Sequence, residues 1–492
     1  MSNIPDKELD ELASVHTNGF TELLKHFGVS IAISTYQAGR LIIAREEDGA
    51  TNTNFRQFNK PMGMVATKDR LTLGTAAQIW DFRNVPSAAS RLKPEGKHDA
   101  CYLMRDVKTT GDIDIHEMAW VNKEVDKKVD NEEDKELWFI NTRFSCLCTF
   151  EPGYSFVPQW KPPFISEYDM RDRCHLNGLG VRDGKPRYVT ALGETDEAGG
   201  WRKNKAAGGI LMDIETNEFL LRGLSMPHSP RWHNEKLWFL ESGRGTLNYL
   251  DPDKGENKVV AELPGFTRGL DFIGNYAVIG LSQVRETAVF AGLPLTQTQP
   301  VRHSGVWIVD LRNGETKAFL KFEKGVQEIF AVSILPWKFP DVINDDMALM
   351  GSTYVLPDEV LKNTVQPSKD WSFAETHFEA GNELYNNGKA EEGLVEYKKC
   401  LEMLADYIPA RFNYGVALGS LERHQEAIVE LEKVIKADVG HAEALNSLAF
   451  SYSQLGNNEK AKSYLQRAIT IRPDYVQALD NLKAIDSGLE LV

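Results

Sequence analysis

A short sequence motif that occurs three times decides the fold: His116-Glu-Met-Ala-Trp120, His175-Leu-Asn-Gly-Leu179 and His228-Ser-Pro-Arg-Trp232. We call this motif the phrase. After each copy comes an apolar run typical of a β-strand: Leu137-Trp-Phe-Ile140, Tyr188-Val-Thr-Ala-Leu192 and Leu237-Trp-Phe-Leu240. Self-similarity at an interval of about 50 residues is typical of repeat architectures. The phrase therefore predicts equivalent structural units, with a histidine at the same position in three neighbouring units.

The repeating unit is a strand, a polar turn and a second strand, and it occurs six times. The six pairs begin at Ser30, Leu71, Leu137, Tyr188, Leu237 and Tyr276. A short extra strand precedes five of the pairs, beginning near Pro61, His116, His175, His228 and Phe266, and a sixth copy follows the last pair. A closed ring explains this offset, because strand 326–333 then completes the first unit and only short sheet edges remain. We predict an all-β six-bladed propeller over residues 29–335, followed by a linker over 336–371.

The sequence becomes helical after the linker, and small residues recur every 34 positions. Ala410, Ala444 and Ala478 mark this period. The pattern resembles the tetratricopeptide repeat, in which small residues lie where two helices cross. We predict an all-α tetratricopeptide solenoid over 372–492. Its repeats are expected at 376–409, 410–443 and 444–477, with a capping helix from 478.

Three insertions and an N-terminal helix complete the predicted organisation. Residues 7–26 have helical spacing and stop before Gly28, so a helix is expected within 1–28. The insertions are polar or rich in proline and glycine, and they are expected to be surface loops. They cover residues 123–136, 194–208 and 284–304.

Composition restricts the class of protein and its partners. The chain has 492 residues and a net charge of −15, which argues against nucleic acid because phosphate requires a basic surface. Its five scattered cysteines indicate a reducing compartment. There is no apolar run of about 20 residues and no pattern of a signal peptide. We therefore expect a cytoplasmic protein without membrane partners.

The three histidines are candidate metal ligands. Inner strands of a propeller begin on one face, so His116, His175 and His228 are predicted to surround one mouth of the central channel. Three imidazoles can hold one divalent ion such as zinc or iron and leave a coordination position open. The alternative is that each histidine makes a structural hydrogen bond and recurs because the blades share ancestry.

The third position of the phrase supplies further candidates at the same mouth. It holds Asn177, Arg268 and Glu328 in three of the units. Arg268 is suited to anchoring a carboxylate or phosphate. Glu328, or the neighbouring Glu117, is a candidate metal ligand or general base. The alternative is an arginine–glutamate pair that satisfies itself within the channel.

Three resemblances bear on these candidates. His175-Leu-Asn-Gly-Leu-Gly180 resembles a phrase of gluconolactonase and strictosidine-synthase-like propellers, which implies that Asn177 helps to bind a divalent metal. Three histidines in a six-bladed propeller are similar to the zinc site of the peptide-amidating lyase. Residues 20–335 resemble a family of uncharacterised bacterial propeller proteins, some of which carry tetratricopeptide tails. That resemblance implies the fold and leaves the activity open.

The helical tail also has a partial match to chaperone-binding tetratricopeptide domains, which grip a terminal carboxylate. Asn382 and Asn413 match the two asparagines of that clamp, whereas Phe378, Glu443 and Ser447 stand where basic residues are required. Capture of an acidic chain end is therefore not expected. The remaining alternatives are that the groove binds an extended segment or a helix, or that the repeats pack on the propeller or dimerise.

Two functional hypotheses follow. In the first, the chain is an adaptor whose tail binds a protein or peptide and whose propeller mouth binds a ligand. In the second, the chain is a metal-dependent lyase or hydrolase. Its three histidines would hold the ion, Arg268 would orient an anionic substrate, and Glu328 or Glu117 would move a proton. The sequence has no P-loop, no dinucleotide-binding glycine pattern and no nucleophile elbow.

Overall fold

A computed structural model of the chain describes residues 12–123, 135–252, 254–284, 291–356, 360 and 369–487. The start of the predicted N-terminal helix and most of the insertion at 123–136 lie outside these residues. The chain divides into two compact units, 1–355 and 356–492.

The first unit is a ring of six sheets, each with four blade strands. Blade 1 contains β2 (Ser30–Thr35), β3 (Arg40–Glu47), β4 (Ala50–Gln57) and β25 (Ala331–Leu335). Blade 2 contains β5 (Met64–Ala66), β6 (Arg70–Gly74), β7 (Gln78–Asn84) and β8 (Ala100–Thr109). Blade 3 contains β9 (Met118–Asn122), β10 (Lys135–Asn141), β11 (Cys146–Thr149) and β12 (Val157–Trp160).

Blade 1 has β25 as its innermost strand, whereas in the other five blades the innermost strand comes first along the chain. Blade 4 contains β13 (Leu176–Arg182), β14 (Lys185–Ala191), β15 (Gly209–Asp213) and β16 (Phe219–Leu224). Blade 5 contains β17 (Pro227–His233), β18 (Lys236–Glu241), β19 (Thr246–Asp251) and β20 (Glu256–Glu262). Blade 6 contains β21 (Phe266–Ile273), β22 (Tyr276–Ser282), β23 (Ser304–Asp310) and β24 (Thr316–Phe322). The predicted six-bladed propeller is confirmed.

Strand β25 closes the ring by pairing antiparallel with β2, where Val332 lies opposite Ile33. The strand begins at Ala331, five residues later than its predicted start. The preceding residues are held by neighbouring blades instead of a ladder: the Ser282 hydroxyl donates to Ile329 O over 3.0 Å. Phe330 N donates to Ser34 O over 2.8 Å. Isolated hydrogen bonds, one from a serine side chain and one between backbone atoms, thus replace the β-pairing that the apolar pattern suggested.

Two further strands extend blades at their outer edges. Strand β1 (Ser14–His16) pairs with β24, and β26 (Pro340–Ile343) pairs in parallel with β8. Strand β26 lies within the segment predicted to be a linker. It is anchored because Arg56 pairs with Asp341 over 2.7 Å and Val342 is fully buried. The start of the 336–371 segment therefore belongs to the propeller unit.

Helices are short in the first unit. Helix α1 (Asn18–Phe27) ends at Gly28, whose φ of 65° is a left-handed cap that glycine adopts without steric cost. The others are α2 (Pro86–Ala89), α3 (Pro294–Thr298), α4 (Met347–Gly351) and the 3₁₀ turn Gly200–Asn204. The 3₁₀ turn and α3 lie in the two predicted insertions at 194–208 and 284–304.

The second unit is a stack of helical hairpins, as the 34-residue period predicts. Its helices are α5 (Lys369–Asn386), α6 (Ala390–Met403), α7 (Ile408–Ser420), α8 (His424–Ala437), α9 (Ala442–Gln454), α10 (Asn458–Ile471) and α11 (Val476–Asp486). The recurring small residues lie where helices cross. A Cβ on Gly415 would come within 2.8 Å of Leu431 in the paired helix. No helix of the described residues is both long and apolar enough to cross a membrane.

Candidate functional site

A cavity of about 240 Å³ lies at the mouth of the propeller, where the inner strands begin. Every blade contributes a lining residue from the start of its inner strand. In blade order from 1 to 6 they are Phe330, Met62, His116, His175, His228 and Arg268. The structure therefore brings the three predicted histidines and Arg268 to one cavity, because equivalent positions of a ring surround its axis.

The three histidine rings lie close together. The centroid of the His116 ring is 4.8 Å from that of His175 and 6.5 Å from that of His228. His116 and His228 are almost fully buried, and His175 is slightly more accessible. This is a compact group of imidazoles on one side of the mouth.

Hydrogen bonds fix which nitrogen of His116 carries the proton. Its Nδ1 lies 2.9 Å from Asp114 O, and a carbonyl oxygen can only accept. The Nδ1 also lies 2.8 Å from the Thr142 hydroxyl, which already donates its proton to Leu176 O over 2.7 Å. Both neighbours therefore require a proton on Nδ1, which leaves Nε2 of the neutral ring with a lone pair.

The same arrangement recurs at His228 in blade 5. Its Nδ1 lies 3.0 Å from Met226 O and 2.8 Å from the Ser242 hydroxyl. That hydroxyl donates to Thr267 O over 2.5 Å, so it too must accept from the histidine. His228 and His116 thus share one tautomer.

At His175 an aspartate takes the place of the carbonyl. Its Nδ1 donates to Asp172 Oδ2 over 2.8 Å, and the Trp201 indole donates to the same oxygen over 2.9 Å. Trp201 packs on His175 with centroids 4.5 Å apart. The predicted loop at 194–208 therefore contributes to the cavity. Sequence reasoning missed Asp172 and Trp201, because neither belongs to the repeated phrase.

Burial keeps two of these histidines neutral. It lowers the pKa of His116 and of His228 well below its usual value, and the positive charge of Arg268 lowers both further. Desolvation disfavours the charged form of a buried imidazole. At neutral pH both rings therefore present an Nε2 acceptor.

Arg268 is the half-buried cation of the cavity. Its guanidinium lies over the Phe330 ring at 3.6 Å and has no hydrogen-bond or ion-pair partner among the described residues. Burial lowers the pKa of Arg268 to about 10, with the carboxylates of Asp114 and Glu117 acting in the opposite direction. The group therefore remains charged at neutral pH.

Two further cations line the same cavity, opposed by a single lining carboxylate. Lys60 pairs with Asp114 over 3.2 Å. Arg202 lies over the Trp201 ring at 4.4 Å and 3.7 Å from Asp172. The mouth is thus locally cationic although the chain carries a net charge of −15. Lys60 and Arg202 could not be identified from the repeat pattern, because both come from loops outside the repeated strands.

Three other predicted site residues do not line the cavity. Glu117 makes two hydrogen bonds with Arg231, of 3.0 and 3.1 Å, and its Oε2 also accepts from Leu179 N. Asn177 is buried, and its Oδ1 accepts from the Thr190 hydroxyl. Glu328 is half-buried, and burial raises its pKa.

Backbone irregularity explains why the Asn177 side chain points elsewhere. Strict alternation would place the first and third residues of the phrase on one side. The register shifts between Leu176 and Gly178 and between His228 and Arg231, and His175 has a φ of 53°. A bulge redirects the side chains that follow it. Such irregularities are not visible in a hydrophobic pattern.

The arrangement of the described side chains does not favour the predicted metal site. Among the described residues, no group of three or more histidine, cysteine, aspartate or glutamate side chains is arranged to hold a metal ion. The three histidines lie on one wall of the cavity and all carry a proton on Nδ1, but they do not form such a group.

The tetratricopeptide unit has its own cavity of about 250 Å³, lined without charged residues. Its polar groups include Asn446 and Asn481, and Asn481 Nδ2 donates to Asn446 Oδ1 over 3.0 Å. The predicted Asn382 and Asn413 form a similar pair over 2.6 Å, away from this cavity. Sequence reasoning missed the second pair because the alignment to a carboxylate clamp directed attention to the first.

Comparison with known proteins covers both units. Residues 18–343, about two thirds of the chain, match the family described as Domain of unknown function (DUF4915). Residues 408–438 and 442–475 match the Tetratricopeptide repeat. The TPR repeat-containing thioredoxin TTL4 of Arabidopsis thaliana is 28% identical over 105 residues, which are 21% of this chain and 15% of that protein. The chain thus spans a small part of this relative.

Solved structures match over about a quarter of the chain. The first TPR of Spaghetti (RPAP3), bound to the HSP90 peptide SRMEEVD, is 20% identical with a TM-score of 0.23, covering 24% of this chain and 92% of that one. YrrB, a TPR protein with an unusual peptide-binding site, is 25% identical with a TM-score of 0.22. The match covers 26% of this chain and 62% of that one.

Proposed function

This chain belongs to the DUF4915 family, and we propose that its propeller binds a small anionic ligand while its tetratricopeptide repeats bind a protein or peptide partner. The proposal for the propeller is carried by one observation. Arg268 is a charged guanidinium that lines a cavity without a partner among the described residues.

A buried charge without a partner is costly, so a ligand that supplies the opposite charge gains binding energy there. The planar guanidinium matches a carboxylate or a phosphate through two parallel hydrogen bonds. Lys60 and Arg202 line the same cavity, but each is ion-paired with an aspartate, so Arg268 supplies the charge that a ligand would neutralise. A carboxylate or phosphate group that binds Arg268 is therefore the chemistry that this site supports best.

The volume of the cavity limits the size of the ligand. Pockets for drug-sized ligands span about 300–1,000 Å³. The cavity at the mouth measures about 240 Å³. We therefore expect a small metabolite rather than a peptide or a cofactor.

The test is to titrate wild-type protein and an Arg268→Gln variant with small carboxylates and with inorganic phosphate, using calorimetry. We expect at least one class to bind and Arg268→Gln to weaken it roughly 10-fold or more, as expected for loss of a charged hydrogen bond. Arg222→Gln is the matched control, because that arginine pairs with Glu194 on the surface. Equal affinity of all three proteins would disprove the assignment to Arg268.

For the second unit, we propose that the groove binds an uncharged peptide segment. The asparagine amides offer donors and acceptors that suit a peptide main chain. Apolar contacts come from Val416 and Phe450 in the same cavity. Among the described residues that line this cavity, no cation can receive a terminal carboxylate. At the clamp positions, Glu443 pairs with Arg472 over 2.6 Å and Phe378 packs on Tyr407.

This proposal is tested with a peptide array against the full chain and an Asn446→Ala, Asn481→Ala variant. Replacing both asparagines leaves neither amide buried without its partner, so the free energy of unfolding should change little. We expect the variant to lose the uncharged peptides that wild-type protein retains, and Asn387→Ala, at an exposed turn, to retain them. Dimerisation of wild-type protein without any peptide binding would favour self-association instead.

A metal-dependent lyase or hydrolase is the second candidate function. The observation that favours it is the shared tautomer, because ligating histidines characteristically donate their other N–H to a carbonyl or a carboxylate. His116 and His228 donate to carbonyls and His175 donates to Asp172. The ion would be zinc or iron, and the open geometry among the described residues opposes it.

Elemental analysis separates the two candidates. Stoichiometric zinc or iron in wild-type protein that disappears in a His116→Ala, His175→Ala variant would establish the metal-dependent function. The metal-dependent function would be eliminated if the purified protein contains no metal and still binds an anion after treatment with a chelator.

A further inference from the structure

We infer that the ligand of the propeller cavity is a small hydroxycarboxylate, whose hydroxyl donates to the histidines while its carboxylate binds Arg268. This inference rests on the proposed anion site. It adds the chemical group that must stand next to the anion.

The argument begins with the histidine acceptors. Each Nδ1 is bound to a scaffold oxygen, namely Asp114 O, Met226 O or Asp172 Oδ2. With its proton on Nδ1, a neutral His116 or His228 ring has its lone pair on Nε2. These nitrogens have no hydrogen-bond partner among the residues that the structure describes, and all three rings line the cavity.

An anion by itself does not satisfy this group of acceptors. Carboxylate oxygens are acceptors too, so they gain nothing from an imidazole lone pair. Buried polar groups are costly when they lack a partner. A ligand that displaces water from the cavity therefore gains affinity if it brings its own O–H or N–H donor to the histidines.

Charge decides between a hydroxyl and an ammonium donor. The guanidinium of Arg268 lines the same cavity as the three histidines, so a fixed positive charge lies near the acceptors. That charge opposes an ammonium group on a ligand. A neutral hydroxyl donates without that cost.

The spacing between the two groups follows from a shared neighbour. The Arg268 guanidinium lies 3.6 Å from the centroid of Phe330, and the His116 ring centroid lies 5.0 Å from the same centroid. The anion site and one acceptor thus flank a single aromatic ring. A small acid that carries its hydroxyl close to its carboxylate can therefore reach both groups.

Three matched acids test the inference on wild-type protein: malate, succinate, which lacks the hydroxyl, and aspartate, which carries an ammonium group instead. Calorimetry measures each dissociation constant with a chelator present. We expect malate to bind roughly 3- to 10-fold more tightly than succinate, as expected for one added hydrogen bond. Aspartate is expected to bind more weakly than malate.

A second measurement on wild-type protein avoids variants of buried histidines, which disturb folding. Nitrogen NMR of labelled histidine distinguishes a protonated from an unprotonated Nε2. We expect the unprotonated Nε2 signals of the free protein to shift with malate and to stay in place with succinate.

The outcomes separate this inference from the anion proposal. If succinate binds as tightly as malate and Arg268→Gln weakens both, the anion site stands and the hydroxyl inference fails. If aspartate matches malate, the preference for a neutral donor fails. If no acid binds, the carboxylate assignment fails and the inference with it. If the chelator abolishes binding, an ion occupies the acceptors and the inference is overturned.

Discussion

At the scale of single residues, two hydroxyl groups link the histidines to the ring itself. Thr142 accepts from His116 and donates to Leu176 O in the next blade. Ser242 makes the equivalent contacts with His228 and Thr267 O. The tautomer of each histidine is therefore set by a contact that also joins two blades. The structural hydrogen bonds of the histidines therefore also fix the orientation of the Nε2 atoms that the proposed ligand would meet.

The neutral histidines predict a loss of stability in mild acid. His116 and His228 have folded-state pKa values well below 6.5, so the unfolded chain binds more protons than the folded chain once the pH falls below about 6.5. Their contribution is constant above that pH. Below it, each costs about 1.4 kcal/mol per pH unit of unfolding free energy. Urea unfolding at pH 7.5, 6.5 and 5.5, with a chelator present, measures this slope.

A pair of variants isolates the effect. His228→Gln is expected to reduce the slope below pH 6.5, whereas His26→Gln changes an exposed residue and should leave it unchanged. A wild-type slope that is flat between pH 6.5 and 5.5 would contradict neutral burial of both rings.

At the scale of secondary-structure elements, a recurring side-chain hydrogen bond connects successive blades. A hydroxyl at or just after the end of a blade's second strand donates to the backbone that opens the next inner strand. The pairs are Ser34 with Met62 O, Thr142 with Leu176 O, Ser242 with Thr267 O and Ser282 with Ile329 O. This bond explains why serine or threonine recurs after the apolar runs of the sequence.

Replacing one of these hydroxyls should destabilise the ring. Thr142→Val keeps the shape of the side chain but leaves the Leu176 carbonyl without its donor. Loss of a buried hydrogen bond of this kind costs about 1–3 kcal/mol. Thermal unfolding of Thr142→Val should therefore occur several degrees below wild-type protein. Thr216→Val, at an exposed turn, is expected to match wild-type protein, and equal melting of both variants would refute the role of this bond.

The parts of the fold that could be predicted are those that follow from periodicity. The six strand pairs and the closing strand could be counted because alternation and spacing survive divergence of individual residues. Asp172, Lys60 and Trp201 could not be placed, since their position depends on loops that no repeat describes. Asn177 was assigned to the mouth by alternation, and a local bulge places it in contact with Thr190 instead. Glu117 was predicted as the neighbour of His116, and it pairs with Arg231.

At the scale of the whole molecule, the two units have separate hydrophobic cores. One large cluster of buried side chains lies entirely within the helical unit, including Leu431, Leu448 and Leu465. The propeller has several smaller clusters between its sheets, and one of them joins Phe20 near the start of the chain to Val332 near the end of the ring. The propeller therefore depends on contacts between its first and last blades.

This dependence predicts where the propeller can be shortened. A chain of residues 1–355 keeps the closing strand β25 and the added strand β26, so it should unfold cooperatively as an isolated domain. A chain of residues 1–325 lacks both strands and exposes the edges of β2 and β8, which β25 and β26 otherwise cover. We expect the shorter chain to aggregate or to lose its cooperative transition, as measured by circular dichroism during heating. A cooperative transition at the same temperature in both chains would show that ring closure does not stabilise this propeller.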